Sequence, residues 1–387
     1  MDNLILSVKY CTKLTLKNIK IMKGYNNMNK NKIHVLITAF TAGNLGDDMF
    51  ITLLCRHYPF IHFVLQCPKQ FSLSFQNLPN LTLVSNISKS LVACLDFQIF
   101  IGGSLFMEPQ NVLDIKHKFN NVISCRVSSN IPFFVIGANF GPYTQPTHLK
   151  LYQDWFKQLN GICFRDKQSY NLFKDLPHTM WAPDLLFSYP LPKYQRKRNN
   201  ITIAPIYNTN RIGLPNFDNE KYLLFLKNIS VEYLKRGYSI TLAAFCISQL
   251  DNIACQKIYE SIPGKWKNSV HFIEYKNDID DFLTKFLHTD YIIGTRFHSI
   301  ILALKARIPV FPIIYNTKTF NAIKSYHYAG NYADIMHLNQ IDFNTIHANK
   351  DASYTPDYLL CEVHSKLHFH YFNEELNAYW RNIANEK

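Results

Sequence analysis

The sequence has no apolar run near the roughly 20 residues that a membrane-crossing helix needs; stretches such as Val35 to Phe40 and Phe97 to Ile101 are far too short. Its nine cysteines form no Cys-x-x-Cys pair and no regular spacing, which excludes a disulfide framework and fits a reducing cytoplasm. The first 30 residues lack both the long apolar stretch and the small-residue cleavage site of a secretory signal. Internal repeats and low-complexity tracts are missing too. Acids are scarce. The 387 residues hold 28 Asp and Glu against 41 Lys and Arg, a net charge of +13, which favours anionic ligands, phosphorylated substrates or an acidic membrane surface.

What is present is globular. Hydrophobic residues make up 47% and charged residues 18%, and the length suits two domains. Residues 1 to 32 carry seven lysines against the single acid Asp2, or +6 of the +13. Residues 1 to 30 therefore read as a basic extension, disordered or placed before a true start at Met22 or Met28. An alternative lays this stretch on a membrane surface as a basic amphipathic segment.

Short β-branched and aromatic runs, each followed by a loop and a helical pattern, predict parallel sheets built of βα units. In the first half they are Ile33 to Ala39, Phe63 to Gln66, Leu81 to Val84, Phe97 to Ile101, Phe133 to Ile136 and Gly161 to Phe164. The second half has Ile201 to Ala204, Ser239 to Phe245, Val270 to Ile273, Tyr291 to Ile293 and Val310 to Ile314. Helices are clearest at Glu220 to Arg236, Asp278 to Leu287 and Ser299 to Ala306. Pro190 to Asn200 is rich in proline and charge and reads as a linker, its cations solvated rather than bound to nucleic acid or lipid. The expected layout is a domain over 31–190, a linker over 191–200, a second domain over 201–340 and a helical segment over 341–387. Two such sheets facing each other would form a ligand cleft at their carboxyl ends.

Five segments fall just after predicted strands. Gly43-Asn44-Leu45-Gly46-Asp47-Asp48 opens a helix; its aspartates suit sugar hydroxyls or a general base, and helix capping is the plainer account. Gly102-Gly103-Ser104 is followed by Glu108. Gly137-Ala138-Asn139-Phe140-Gly141-Pro142 makes a turn. Arg165-Asp166-Lys167-Gln168-Ser169 places an arginine where it can grip a carboxylate or phosphate, unless Arg165 simply pairs with Asp166. In Gly294-Thr295-Arg296-Phe297-His298-Ser299, Arg296 and His298 occupy a strand-to-helix turn, where backbone N–H groups and the helix dipole favour an anion and a histidine can donate a proton. Tyr315 and Lys318 follow the next strand.

In this order the segments resemble the polysaccharide pyruvyl transferase family, over about residues 33 to 325, with Tyr315-Asn316-Thr317-Lys318 completing the pattern. The glycine triplet of the family is a pair here. The resemblance implies a GT-B-like fold of two Rossmann-like parallel-sheet α/β domains, the first on the acceptor side and the second on the donor side. It also implies transfer of a pyruvyl group from phosphoenolpyruvate onto a sugar of an exopolysaccharide, capsule or cell-wall glycan as a ketal. Arg165, Arg296, His298 and Lys318 are implicated as catalytic residues. Substrate contacts are expected from Asn44, Gly46, Asp47, Asp48, Gly102, Gly103, Ser104, Glu108, Asn139, Gly141, Asp166, Ser169, Phe297 and Tyr315.

Phosphoenolpyruvate needs two anion clamps and a proton source, and no cofactor or metal. Arg165 and Arg296 are expected to hold the carboxylate and phosphate, Lys318 to offset the departing phosphate and His298 to protonate the methylene carbon, with Asp47, Asp48 or Glu108 as base. The expected partners are phosphoenolpyruvate and a glycan or lipid-linked sugar, with no nucleic acid, in the cytoplasm or at the inner membrane face. Two rivals are a glycosyltransferase using a nucleotide sugar and a silent carbohydrate- or polyanion-binding protein. Cys361, His364, His368 and His370 have spacings that zinc accepts, but a packed or solvated helix is the preferred reading.

Overall fold

A computed structural model describes residues 32–207, 214, 217–351 and 358–385; the basic extension lies outside them. The chain divides into two compact units. Among the described residues the first contains residues 32–42, Asp47–Leu185 and 363–385, and the second contains Gly43–Gly46 and the described part of Leu186–Glu362.

The first unit is a seven-stranded parallel sheet. Its strands are β1 (His34–Thr38), β2 (His62–Gln66), β3 (Leu81–Val84), β4 (Phe97–Ile101), β5 (Phe133–Ala138), β6 (Gly161–Phe164) and β7 (Thr179–Trp181), in the order β3-β2-β1-β4-β5-β6-β7. Helices α1 (Leu45–His57), α2 (Ile115–Ile123), α3 (Pro146–Phe156) and α4 (Lys167–Phe173) lie between them in sequence. The second unit has β8 (Asn200–Ala204), β9 (Ser239–Ala244), β10 (Val270–Glu274), β11 (Tyr291–Gly294), β12 (Val310–Ile314) and β13 (Ala333–Asp334), parallel and ordered β10-β9-β8-β11-β12-β13. Its helices are α5 (Asn219–Lys235), α6 (Asp251–Ser261), α7 (Ile279–Phe286), α8 (Phe297–Lys305), α9 (Thr317–Ser325) and α10 (Phe343–Asp351).

Both sheets follow the doubly wound plan, in which strand order reverses at a switch point and the loops beyond that point bind ligands. The reversal falls between β1 and β4 in one unit and between β8 and β11 in the other. All eleven expected strands are present, and β7 and β13 are additions at the sheet edges. Central strands are apolar because both faces are covered. Gln98 in β4 is fully buried and shows the condition attached: its amide donates to Thr38 Oγ1 (2.9 Å) and to the Cys125 carbonyl (2.6 Å) and accepts from Val127 N (3.0 Å).

The middle of helix α8 is apolar on every side, with Ile300, Ile301, Leu302, Ala303 and Leu304 all buried. That fixes its axis. Its C-terminal end is closed by the predicted linker: Tyr194 Oη and Arg196 Nη2 each donate to the Ala306 carbonyl at 3.0 Å, and Arg196 Nη2 also donates to the Arg307 carbonyl. A cation there complements the helix dipole, so this part of the linker is docked rather than merely solvated.

The segment 341–387 is not one unit. Helix α10 belongs with the second unit, whereas α12 (His370–Asn385), which follows α11 (Tyr358–Ser365), packs on the first. Phe372 in α12 is buried in edge contacts with Phe97 (5.6 Å), Phe134 (5.3 Å) and Tyr58 (5.2 Å). Tyr58 donates to Asn373 Oδ1 at 2.7 Å, and Tyr379 donates to Asp96 Oδ1 at 3.0 Å. Removing sheet-facing aromatic surface from water is the reason the end of the chain returns to the first sheet.

Candidate active site

In the second unit the Arg296 segment sits at the end of β11, beside the switch point. The Thr295 and Arg296 N–H groups donate to the Ala204 carbonyl at 3.0 and 3.4 Å, which ties the turn to the end of β8. Tyr222 of α5 braces it from below: its hydroxyl donates to Thr295 Oγ1 (2.8 Å) and accepts from Ile206 N (3.2 Å). Arg296 is the N-cap of α8, and His298 lies within the first helical turn, because the helix begins at Phe297, two residues before the expected start at Ser299.

The Arg296 guanidinium is buried in a carboxylate clamp. Nε donates to Asp251 Oδ2 at 2.6 Å, Nη2 donates to Asp251 Oδ1, and Nη1 donates to Gln249 Oε1 at 2.5 Å. Asp251, itself fully buried, also accepts from Phe245 N (3.2 Å) and Cys246 N (3.0 Å). Burial acts to lower the Arg296 pKa, but the facing Asp251 carboxylate more than reverses this and the guanidinium stays charged. An arginine has five N–H donors, and among the described residues three are engaged here, one on each guanidinium nitrogen.

His298 and Lys318 stand nearby on separate helices. Both are half-buried. The Lys318 ammonium lies 5.7 Å from the centre of the Phe297 ring, and α9, to which it belongs, is capped by Asn316, whose side chain accepts from Thr319 N at 3.0 Å. Phe297 is buried and half-buried Tyr315 packs against the core, so their rings line this end of the unit. Gly43–Gly46 belongs to the same unit. Asn44 forms an antiparallel bridge with Cys246, Leu45 N donates to the Phe245 carbonyl (3.2 Å), and the Asn44 side chain accepts from Gly46 N (3.0 Å). Thus Asn44, Gly46, Arg296, Phe297, His298, Tyr315 and Lys318 share the second unit.

In the first unit a second arginine clamp stands at the end of β6. Arg165 is buried; Nη1 pairs with Asp184 Oδ2 at 3.1 Å and Nη2 donates to Asn139 Oδ1 at 2.7 Å. The expected plainer partner, Asp166, is not the one used. Asp166 caps α4, accepting Ser169 N and the Ser169 hydroxyl, each at 2.8 Å, and that hydroxyl accepts Phe140 N at 2.8 Å. Asp166 and Ser169 are thus turned toward each other and the backbone, so they shape this turn. The guanidinium lies flat on Gly103: a Cβ there would stand 2.4 Å from Nη2. Gly102 and Gly141 have φ of +151° and +83°, conformations that L side chains rarely adopt. Gly103, Ser104, Asn139, Gly141 and Arg165 therefore gather in this unit.

The carboxylates proposed as bases have structural partners. Glu108 is buried and accepts Thr144 N (2.7 Å), the Thr144 hydroxyl (2.9 Å) and Gln145 N (2.9 Å) at the start of α3. Burial pushes its pKa up, but the donors from Gln145 and Thr144 prevail and hold it below the ordinary glutamate value. A carboxylate so held is a poor proton acceptor. Asp48 is buried with the Ser74 hydroxyl donating to it at 2.7 Å, and Asp47 is half-buried.

The C-terminal histidines diverge. His368 is buried and its Nε2 donates to the Pro183 carbonyl at 2.9 Å, while His370 lies 3.4 Å from Glu374. Among the described residues no group of three His, Cys, Asp or Glu is arranged to hold a metal ion. No described helix is long and apolar enough to cross a membrane.

Asp184, Asp251 and Gln249 lie outside every motif of the sequence. One of these left a trace: Asp184 is a lone acid between Pro183 and the apolar run Leu185-Leu186-Phe187, where burial demands a cationic partner.

The fold recurs among solved structures. The chain is similar to a UDP-GlcNAc 2-epimerase from Methanocaldococcus jannaschii in complex with UDP-GlcNAc and UDP, at 9% identity and a TM-score of 0.53 over 87% of this chain and 98% of that one. It is likewise similar to S. aureus MnaA bound to UDP, at 12% identity and a TM-score of 0.53 over 88% of this chain and 97% of that one. At such identities the likeness shows the fold, a GT-B-like pair of parallel-sheet α/β domains. No curated protein matches the sequence. The model of the family described as polysaccharide pyruvyl transferase matches residues 13–317, about four-fifths of the chain by length, and the chain belongs to that family.

Proposed function

We propose that this transferase moves the pyruvyl group of phosphoenolpyruvate onto two hydroxyls of a glycan sugar, forming a cyclic ketal, and that the donor is held at the Arg296 end of the second unit. The observation that carries the reading is the Asp251-oriented Arg296 beside His298 and Lys318, in a chain of this family.

Arg296 and Asp251 together are net neutral, so the pair supplies a fixed fork rather than net charge. Attraction for the phosphate and carboxylate comes from Lys318, from His298 when protonated and from the N-terminus of α8. In the proposed step His298 delivers its proton to the methylene carbon, and the adjacent enol carbon becomes oxocarbenium-like. One sugar hydroxyl attacks that carbon and passes its proton to the imidazole that the first transfer left neutral. The C–O bond to phosphate then breaks, phosphate leaves with the electron pair, and the second hydroxyl closes the ketal as its proton passes to the departed phosphate. Positioned acid catalysis contributes about 10²- to 10⁴-fold. Glu108 is not assigned the base role, because its oxygens already accept three donors.

Phosphoenolpyruvate is expected to raise the thermal midpoint of the full chain, and this gain should shrink in Lys318→Met and Arg296→Lys. Stabilisation by nucleotide sugars but not by phosphoenolpyruvate would overturn the proposal in favour of a glycosyltransferase.

A further inference from the structure

Gly46 stands in the first turn of α1, where a side chain would be welcome on helical grounds: alanine is the better helix former by about 1 kcal/mol. The φ of Gly46 is not positive, so the backbone does not require glycine either. The obstacle is His298. A Cβ built on Gly46 would lie 1.6 Å from His298 Nδ1, 2.1 Å from Cε1 and 2.5 Å from Cγ, inside the imidazole ring edge.

Gly46 is not placed there by chance of a loose loop. The Asn44 bridge to Cys246, the Leu45 bond to Phe245 and the Asn44 cap on Gly46 N fix the segment against the end of β9. His298 is fixed from the other side by α8, in which the six following residues, Ser299 to Leu304, are all buried. Two backbones are therefore pinned, and the imidazole fits between them because position 46 carries only hydrogen. Of the two parts that would have to yield, the ring turns more easily than either backbone.

We infer that Gly46 is a positioning residue for His298, setting the rotamer in which the imidazole is held at the start of α8. The inference deepens the proposed function, since it matters to catalysis only if His298 acts on the donor, but the positioning itself can be tested without any substrate. Alanine at this position would turn the ring to another rotamer while leaving α1 and the sheet intact.

The test is NMR of the full chain labelled at histidine Cε1, with His298→Gln identifying the His298 signal. In Gly46→Ala that signal should move well outside the scatter among replicate samples, while Gly264→Ala should leave it in place, because nothing lies within 4 Å of a Cβ at Gly264. An unmoved His298 signal in Gly46→Ala overturns the inference. Should the backbone yield instead and the variant lose stability, the double variant Gly46→Ala/His298→Ala recovers the thermal midpoint if the inference holds and does not if it fails. Adding phosphoenolpyruvate separates the two readings: a His298 signal that responds to Gly46→Ala but not to phosphoenolpyruvate in the wild type supports the positioning and counts against the donor site alone.

Discussion

Replacing Asp251 by asparagine tests whether Arg296 works as an oriented fork or as a bare charge. Asp251 is fully buried and holds two guanidinium nitrogens and two backbone N–H groups, at distances of 3.0 to 3.2 Å for the latter. Asparagine keeps one oxygen and turns an NH₂ toward guanidinium and backbone N–H groups, which are donors themselves. Removing one partner of a buried ion pair costs about 3–5 kcal/mol, and the retained oxygen places this variant near the lower end, about 3 kcal/mol. For a domain of this size that is a fall in thermal midpoint of about 6–12 °C. Two effects on the donor oppose each other. Loss of the counter-charge makes Arg296 more attractive to anions, whereas loss of the clamp lets the guanidinium leave its alignment. An oriented fork predicts that the second dominates the chemical step, so kcat should fall by about 10²-fold or more while KM for phosphoenolpyruvate stays level or drops. Differential scanning calorimetry and phosphate-release kinetics read the two quantities. A kcat within about threefold of wild type, with the midpoint lowered as expected, would refute the reasoning.

Further expectations concern the first unit. Gly103→Ala should displace Arg165 from Asp184 and Asn139, with a midpoint loss of several degrees that Gly264→Ala does not share. His368 is buried, and burial lowers its pKa to about 4, with Arg165 adding to the effect and the Pro183 carbonyl opposing it. The folded state therefore resists a proton that the unfolded chain accepts below pH about 6.5. Stability should fall by about 3 kcal/mol as pH drops from 6.5 to 4, and His368→Gln should flatten that slope in thermal melts across this range. Glu108 runs in the same direction at lower pH: its pKa is held below the ordinary value, so its contribution is present above that value and lost as pH falls through the folded one. Glu108→Gln should thus be less stable than wild type near neutrality and approach it in strong acid.

Much of the fold is legible from the sequence because central parallel strands must be apolar on both faces, as Phe97–Ile101 and Val310–Ile314 are. The edge strands β7 and β13 escape the same reading, being three and two residues long and partly exposed. The return of α12 to the first sheet has no local signature; it follows from what Phe372 and Tyr379 touch nearly 300 residues earlier. At the site, glycines and cations after strands mark the right loops, but their partners do not announce themselves. Asp251 lies 45 positions before Arg296, and Asp184 lies 19 after Arg165, with no fixed spacing for a motif to capture. The same limit hid the reason for Gly46, whose neighbour His298 is brought to it only by folding.

The central claim is most directly tested by incubating the full chain with ¹³C-labelled phosphoenolpyruvate and a panel of glycans, then reading products by mass spectrometry. The expected product is a glycan heavier by labelled pyruvate less one water, formed with equimolar phosphate and abolished in His298→Ala and Arg296→Ala. Phosphate released at the wild-type rate by those variants, or a glycan product that carries no label, would contradict it.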